Sequence, residues 1–506
     1  MNNRKTGVIL SYILMILEVL STLLLTPFII RALGQSEYGV YKLAVSINAY
    51  LLLLDLGVGN SVIRYLAKYR AAKAHEDARK FLGVAMLYYL AIGILALAAG
   101  AVLTAVFPHV FSNGLNDQEI LLGQKLLGIT MVTSAVTMGS AAFSNAVIAY
   151  ERFKISKGAS IIQILIRMGL TWIVLRCGMG SLGIVTINLV LTVLCKGFFV
   201  FYVLFCIKLR PRLRGIETAM IKDVVAYSSF ILIQMIATQL NATLDQILIG
   251  ALTASSAVIL AVYGVGAQIV QYFQSIGSAF NGVLMPGVVA LVERRPTGET
   301  LTNEMVRIGR LVFMVLGLIW SGFLVLGQQF VTLWAGSVND DAYYVALILM
   351  AVYTFILTQA IGGQILWAMN QHREQAVLKF GIVVFNIVAT VLLIRWNPLF
   401  GATIGTFLSL LLGDVGVLNF ILVKKLRIRI TSYYAGLFRG ILPCLIVSVA
   451  IGLAVRFAVP AGWLGLILNA GVMCGVYALA MILRGLNGYE KKLFYGMLFS
   501  RRCKKE

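Results

Sequence analysis

Apolar residues run along this chain in long blocks separated by short polar connections. A hydrocarbon core about 30 Å thick takes about 20 apolar residues in one helix. Fourteen blocks meet that length: residues 7–30, 39–63, 81–107, 121–149, 159–177, 181–205, 224–251, 256–290, 311–334, 343–368, 380–396, 400–423, 440–459 and 463–483. The eighth is long enough to hold a bend or an overhang. The first follows Met1-Asn2-Asn3-Arg4-Lys5 and is too long for the core of a cleaved leader, so it reads as a retained helix. No stretch reads as a soluble domain or a low-complexity linker.

Composition agrees with that pattern. Of 506 residues, 60% are hydrophobic and 12% charged, against about 25% charged in an average soluble domain. A soluble enzyme of this size could not hide so much apolar surface. The six cysteines are too few and too apolar in setting for a disulfide framework, and no Cys/His cluster has metal-ligand spacing. His75, His109 and His372 fall between blocks and read as solvated connector residues.

Charge orients the blocks. There are 42 Lys and Arg against 20 Asp and Glu, a net +22. With the N-terminus inside, 34 of the 42 positive residues fall on the inner side of fourteen alternating spans, as cytoplasmic connections require. Both termini are then cytoplasmic. The excess reads as a topology signal rather than a nucleic-acid footprint. The outer connections are short, and two carry acids, Asn116-Asp117-Gln118-Glu119 and Asn339-Asp340-Asp341.

A weak repeat is present. The basic connection 64–80 has a counterpart at 293–310, and the connector at Ala149 has one at Ala368, 219 residues or six spans later. An even number of spans gives both halves the same orientation, related by an axis along the membrane normal. The expected architecture is an all-α integral membrane protein of fourteen transmembrane helices. It would comprise an N-lobe (1–207, spans 1–6), a C-lobe (208–425, spans 7–12) and an addition (426–506, spans 13–14 and a basic tail), with a central cavity between the lobes.

Residues 26–70 carry recognisable text: Thr26-Pro27-Phe28, then Arg31-Ala32-Leu33-Gly34-Gln35-Ser36-Glu37-Tyr38-Gly39-Val40-Tyr41, then Asp55-Leu56-Gly57-Val58-Gly59-Asn60 and Arg64-Tyr65. This text, with fourteen spans, resembles the polysaccharide transporter family of the MOP superfamily, the Wzx-type flippases of lipid-linked oligosaccharides and O-antigen. The resemblance implies a MATE-like fold, a plasma-membrane location, and export of undecaprenyl-pyrophosphate-linked glycan for surface polysaccharide. It also implies lipid partners and neighbouring glycosyltransferases or a polymerase. It implies no enzymatic activity, no cofactor and no nucleic-acid partner.

Charges inside a bilayer are costly and usually face a cavity or a partner. At a rise of about 1.5 Å per residue, Glu18, Asp55, Arg167 and Lys196 come out roughly 12–17 Å from the inner ends of spans 1, 2, 5 and 6. Lys125 and Asp245 lie near the outer ends of spans 4 and 7, and Asp414 lies about 14 Å into span 12. By this reading the embedded bases are confined to the first lobe. Arginine offers phosphate a fork of donors and lysine a compact charge, so Arg167 and Lys196, with Lys125, are candidates to attract a pyrophosphate. The competing reading has Glu18 and Asp55 neutralising these cations in a static network. Glu18, Asp55, Asp245 and Asp414 are candidates for coupling to Na+ or H+.

Polar residues also recur at helical spacing. Span 7 carries Gln234, Thr238, Asn241 and Asp245, and span 8 carries Gln268, Gln271, Ser275 and Ser278. Span 1 has Glu18, Thr22 and Thr26; span 2 has Tyr41, Asn48 and Asp55; span 5 has Gln163, Arg167 and Thr171. Span 4 has Thr130, Thr133, Thr137, Ser140 and Ser144. Such stripes either line a wet cavity for sugar hydroxyls or hold helices together. Pro27, Gly57 and Gly59 are candidate hinges, and Pro286 a further kink. The tail alternates Lys491, Lys492, Arg501, Arg502, Lys504 and Lys505 with apolar residues, as a segment on an anionic leaflet would.

Three functions compete. A lipid-linked oligosaccharide flippase needs unpaired bases. A MATE-like exporter of organic cations needs unpaired acids, and a lipid II flippase is a variant of the first reading. A membrane glycosyltransferase needs catalytic groups in a sizeable loop, which this chain lacks.

Overall fold

A computed structural model describes residues 2–55, 58–213, 239–241, 243–254, 256–293, 297–369, 372–460 and 462–492. Among these residues all regular structure is helical. Helices are what a lipid environment demands of a chain that cannot close a barrel, because each backbone N–H and C=O must be satisfied within its own segment.

The first unit begins with α1 (Asn2–Leu51), a short 3-10 turn (Leu52–Asp55) and α2 (Val58–Ala71). There follow α3 (His75–Phe111), α4 (Asp117–Gly139), α5 (Ala141–Ala149), α6 (Phe153–Arg176) and α7 (Gly180–Phe201), the last ending in a π turn at Tyr202–Cys206. Next come α8 (Thr243–Leu252) and α9 (Ser256–Glu293). The other helices are α10 (Gly298–Ala335), α11 (Ala342–Thr358), α12 (Ala360–Ala368) and α13 (His372–Ile394), then α14 (Pro398–Leu410), a π turn (Leu411–Val417) and α15 (Leu418–Leu426). They close with α16 (Ile430–Phe438), α17 (Ile441–Ala458) and α18 (Trp463–Ala480).

Eleven of these segments are long and apolar enough to cross a membrane, or twelve if the bent pair α11–α12 is one span. Fourteen is therefore not reached among the described residues. Two reasons are visible. Runs 7–30 and 39–63 fall in one 63-residue helical stretch, Ile9–Ala71, where a connecting loop was expected. Most of run 224–251 lies outside the described residues. The loop is replaced by a single non-helical residue, Gly34, with φ 73° and ψ 175°. Glycine takes this conformation without the Cβ clash other residues meet, so one residue redirects the chain where a loop would have used several.

Two further breaks are informative. The fourth run is divided at Ser140 between α4 and α5, and the tenth at Gln359 between α11 and α12, with a bend of 44° at the second. Ser140 and Gln359 are 219 residues apart, the same offset that relates Ala149 to Ala368.

The chain forms two compact units, one of residues 1–264 with 390–402, the other of 265–389 with 403–506. The first has a core under α2, α3 and α5 built on Leu66, Phe81, Leu82, Tyr89, Phe143 and Val203. The core of the second is built on Met305, Ile365, Leu366, Leu422, Tyr433 and Leu437. Many large apolar side chains point outward instead, such as Ile94 on α3 and Phe380 on α13. A surface of that kind is stable against lipid tails and not against water.

Candidate functional site

The recognisable segment after Gly34 ties the helix ends of the first unit together. Ser36 donates to the Glu119 carboxylate, and Glu119 with Asn116 also forms a reciprocal capping box at the start of α4. Glu37 accepts from both the backbone N–H and the hydroxyl of Ser181, each at 2.6 Å, at the start of α7. A carboxylate there satisfies orphan N–H groups and meets the positive end of the helix dipole. Tyr38 is buried. A Cβ on Gly39 would stand 1.8 Å from the Ala257 carbonyl oxygen, so a side chain at 39 would force α1 off α9. These residues carry architecture rather than substrate chemistry.

Arg167 and Lys196 have no acidic partner among the described residues. Arg167, half-buried on α6, lies in electrostatic range of Tyr41 on α1. Lys196 on α7 donates to the Ser144 hydroxyl of α5 at 3.3 Å and lies 6.0 Å from the Phe199 ring centroid. The two cations therefore turn to different neighbours. Glu18 is exposed on α1 and lies in no described ion pair with either, so the static network expected from Glu18 and Asp55 is not formed among the described residues. Lys125 is exposed on α4.

Asp55 sits where the second run breaks, at the end of the 3-10 turn before α2. The Tyr89 hydroxyl and an Asp55 carboxylate oxygen both border Gly59, and Asn145 Nδ2 donates to the Tyr89 hydroxyl at 3.5 Å. Gly59 keeps the pocket open: a Cβ there would meet Asn145 Nδ2 at 3.0 Å, Tyr89 Oη at 3.4 Å and Asp55 Oδ2 at 3.6 Å. Close approach is thus what the structure shows for Gly59, expected as a hinge. Gly57, beside it, lies outside the described residues. The helix runs on through Pro27, and the non-helical backbone of α1 is at Gly34.

Asp245 is buried and accepts from the Tyr263 hydroxyl. Next to it Gln246 accepts from Ser46. Asp414, in the π turn after α14, is paired with Lys379 of α13 at 2.7 and 2.8 Å, and its carbonyl accepts from Gln359 Nε2 at 2.5 Å. Lys379 falls within the apolar segment Val377–Ile394, so the embedded bases are not confined to the first lobe as the sequence predicts. The signal was Asp414 itself, an acid in an apolar run that needs a partner.

The second unit holds a further pair missed by sequence. Arg310 Nε and Nη2 meet both oxygens of Glu490 at 2.6 and 3.1 Å, and its remaining donors reach the carbonyls of Gly436, Arg439 and Gly485. Both side chains are at most 5% exposed. Asn487 and Glu490 cap each other's N–H at 2.8 Å. The tail up to residue 492 is thus docked on α10, and residues 493–506 lie outside the description.

The polar stripes divide. Thr22, Thr26, Thr133, Thr137, Ser140 and Ser275 donate to carbonyls four residues back in their own helices, a local satisfaction that leaves no donor for a ligand. Asn48 accepts from Ser134 at 2.9 Å, joining α1 to α4. Gln268 donates to the Tyr272 hydroxyl at 2.5 Å. Gln271 is exposed and Gln163 half-buried. The buried Asn241 Oδ1 has no hydrogen-bond partner among the described residues. Gln234 and Thr238 lie outside them, as does the side chain of Pro286.

The inward closed conformation of the lipid II flippase MurJ is 14% identical over 97% of this chain and 99% of its own, with a TM-score of 0.68. An inward-facing multidrug resistance MATE family transporter of the MOP superfamily is 14% identical over 80% of this chain and 96% of its own, TM-score 0.61. A MOP superfamily transporter from Pyrococcus furiosus, described by a binding pocket of reverse polarity, is 14% identical over 84% of this chain and 97% of its own, TM-score 0.51. No curated protein sequence matches the chain. The fold and its apolar helices thus define a multi-pass membrane protein of the MurJ and MATE type. Residues 5–292 match the family described as "Polysaccharide biosynthesis protein". The chain belongs to that family.

Proposed function

We propose that this protein is a flippase that exports an undecaprenyl-pyrophosphate-linked oligosaccharide from the inner to the outer leaflet of the plasma membrane, for assembly of surface polysaccharide. The observation that carries the reading is the pair of embedded cations, Arg167 and Lys196, neither with an acidic partner among the described residues. A pyrophosphate supplies the missing negative charge, and a low-dielectric wall strengthens the attraction. Family membership supports polysaccharide as the product. The matching breaks at Ser140 and Gln359 support two similar lobes, which in this reading give the substrate alternating access to the two leaflets. Both termini are cytoplasmic in this reading, as the positive connections require. The protein transports and performs no bond chemistry.

Coupling belongs to the acids. Asp55, at a helix break where Gly59 also borders the Tyr89 hydroxyl, is the strongest candidate to bind H+ or Na+. Asp414, paired with Lys379, is a weaker one. The same Asp55 favours the second reading, a MATE-like exporter of organic cations.

The test is complementation. Deletion should abolish surface glycan and accumulate the lipid-linked intermediate on the inner leaflet. Arg167→Glu should fail to restore export, and normal export by it would remove the leading site. Export of a cationic dye, with intact glycan in the deletion strain, would replace the flippase reading by the exporter.

A further inference from the structure

An open groove of about 410 Å³ runs between α6 and α7. Its walls are Ile155, Ile162 and Ile166 on one side and Leu191, Leu194 and Phe198 on the other. Ile162, Ile166, Leu194 and Phe198 are exposed along it, so the trough faces outward over its length. Besides the half-buried Cys195, its polar lining side chains are two. Lys154 stands exposed at one end, and Gln163 lies midway.

The distribution of polarity matches one leaflet. From Lys154 to Ile166 the helix rises about 18 Å, close to half of a core about 30 Å thick. Lys154 follows the connector that the charge pattern places on the cytoplasmic side, where Arg152 and Lys157 add further positive charge. The trough thus offers a cation at the interface and an apolar track from there towards the bilayer centre. Neither embedded cation lines it, although each is next in sequence to a residue that does. Arg167 follows Ile166 and lies one turn after Gln163, and Lys196 follows Cys195.

We propose that this groove docks the single polyisoprenoid chain of a phosphate-bearing lipid in the inner leaflet, with Lys154 holding the phosphate. The proposal rests on the flippase reading above and names the lipid surface where its substrate first binds. One trough between two helices takes one chain, which fits a single-chain isoprenoid better than a two-chain phospholipid. Charge complementarity comes from Lys154 and its neighbours, each basic residue near the surface contributing about 1 kcal/mol toward an anionic headgroup.

The experiment uses the full chain in nanodiscs of phosphatidylglycerol and phosphatidylethanolamine doped with undecaprenyl phosphate. A photo-reactive phenylalanine is placed at Leu194 in the groove or, as a control, at Ile94, which is 67% exposed on α3. Undecaprenyl phosphate should crosslink at position 194 well above position 94. Lys154→Gln should lower that yield about fivefold, and Ile162→Trp, which fills the trough from an outward-facing position, should remove it. Equal yields at 194 and 94, or crosslinks at 194 to phosphatidylglycerol in proportion to its abundance, would overturn the groove. Export is scored separately in the deletion strain. Export by the wild type without crosslinking at 194 overturns the groove alone. Crosslinking without export keeps the lipid site and overturns the flippase reading.

Discussion

In the first unit, Arg167 sits on α6, and Lys196 on α7 donates to the Ser144 hydroxyl. In the second, Lys379 grips both oxygens of Asp414, and Arg310 spends its donors on Glu490 and three carbonyls. Arg167 and Lys196 lie in no ion pair among the described residues, whereas Lys379 and Arg310 are closed into pairs. A cation at the centre of a membrane helix costs about 2.5–3.5 kcal/mol on insertion scales. A fold can remove that cost by placing a carboxylate nearby, as the second unit does. The first does not, which suits a site whose counter-charge arrives with a ligand. Charges in the second unit are read as fastenings, and those in the first as a receptor.

That contrast breaks most sharply at Glu490. Glu490→Gln leaves the Arg310 guanidinium buried without a carboxylate, and losing one partner of such a pair costs about 3–5 kcal/mol. A large drop in Tm in detergent is expected, with part of it recovered in Arg310→Met/Glu490→Met. A Tm close to wild type for Glu490→Gln would remove the fastening role. Asp414→Asn should cost less, about 1–3 kcal/mol, because Lys379 is 29% exposed and can reach solvent. Scanning fluorimetry checks the order of the two.

A smaller effect is expected at the surface. Glu76 is exposed, and the hydrogen bond from Arg212, 2.5 Å long, holds its carboxyl below the ordinary value of 4.5. A depressed folded pKa contributes stability above pH 4.5 that disappears as pH falls through the folded value. The loss in Glu76→Gln should therefore be slight at neutral pH, absent in acid, and reduced by salt. A loss that persists unchanged in acid or in high salt would contradict the pairing. Smallest of all is the expected loss of stability for Arg167→Gln, no more than about 0.5 kcal/mol, although export should be lost. A marked fall in Tm in that variant would make Arg167 a fastening like Arg310.

Hydropathy reveals much of this fold in sequence, because apolar content is imposed residue by residue along each span. The offset of 219 also shows in the connectors, and the structure repeats it at Ser140 and Gln359. What is not legible depends on contacts distant in sequence. The loop expected around Gly34 becomes a one-residue break, because Ser36 and Glu37 are held by Glu119 and Ser181 far along the chain. Lys379 lies one residue before an apolar run and so resembles a connector residue until Asp414, 35 positions away, is brought beside it. Of the candidate site, Arg167, Lys196 and Asp55 are found by their cost in lipid. Tyr89 and Asn145 are ordinary residues until the fold brings them together around Asp55.

The central claim is that the cations of the first unit await an anionic ligand. It is tested most directly by measuring the affinity of purified wild type and Arg167→Gln/Lys196→Gln for farnesyl pyrophosphate, a soluble probe that carries the same headgroup. A charge-assisted contact contributes about 1.5–3 kcal/mol, so the double variant should bind at least about tenfold more weakly while its Tm is unchanged. Equal affinity in the two proteins, at equal Tm, would contradict the account.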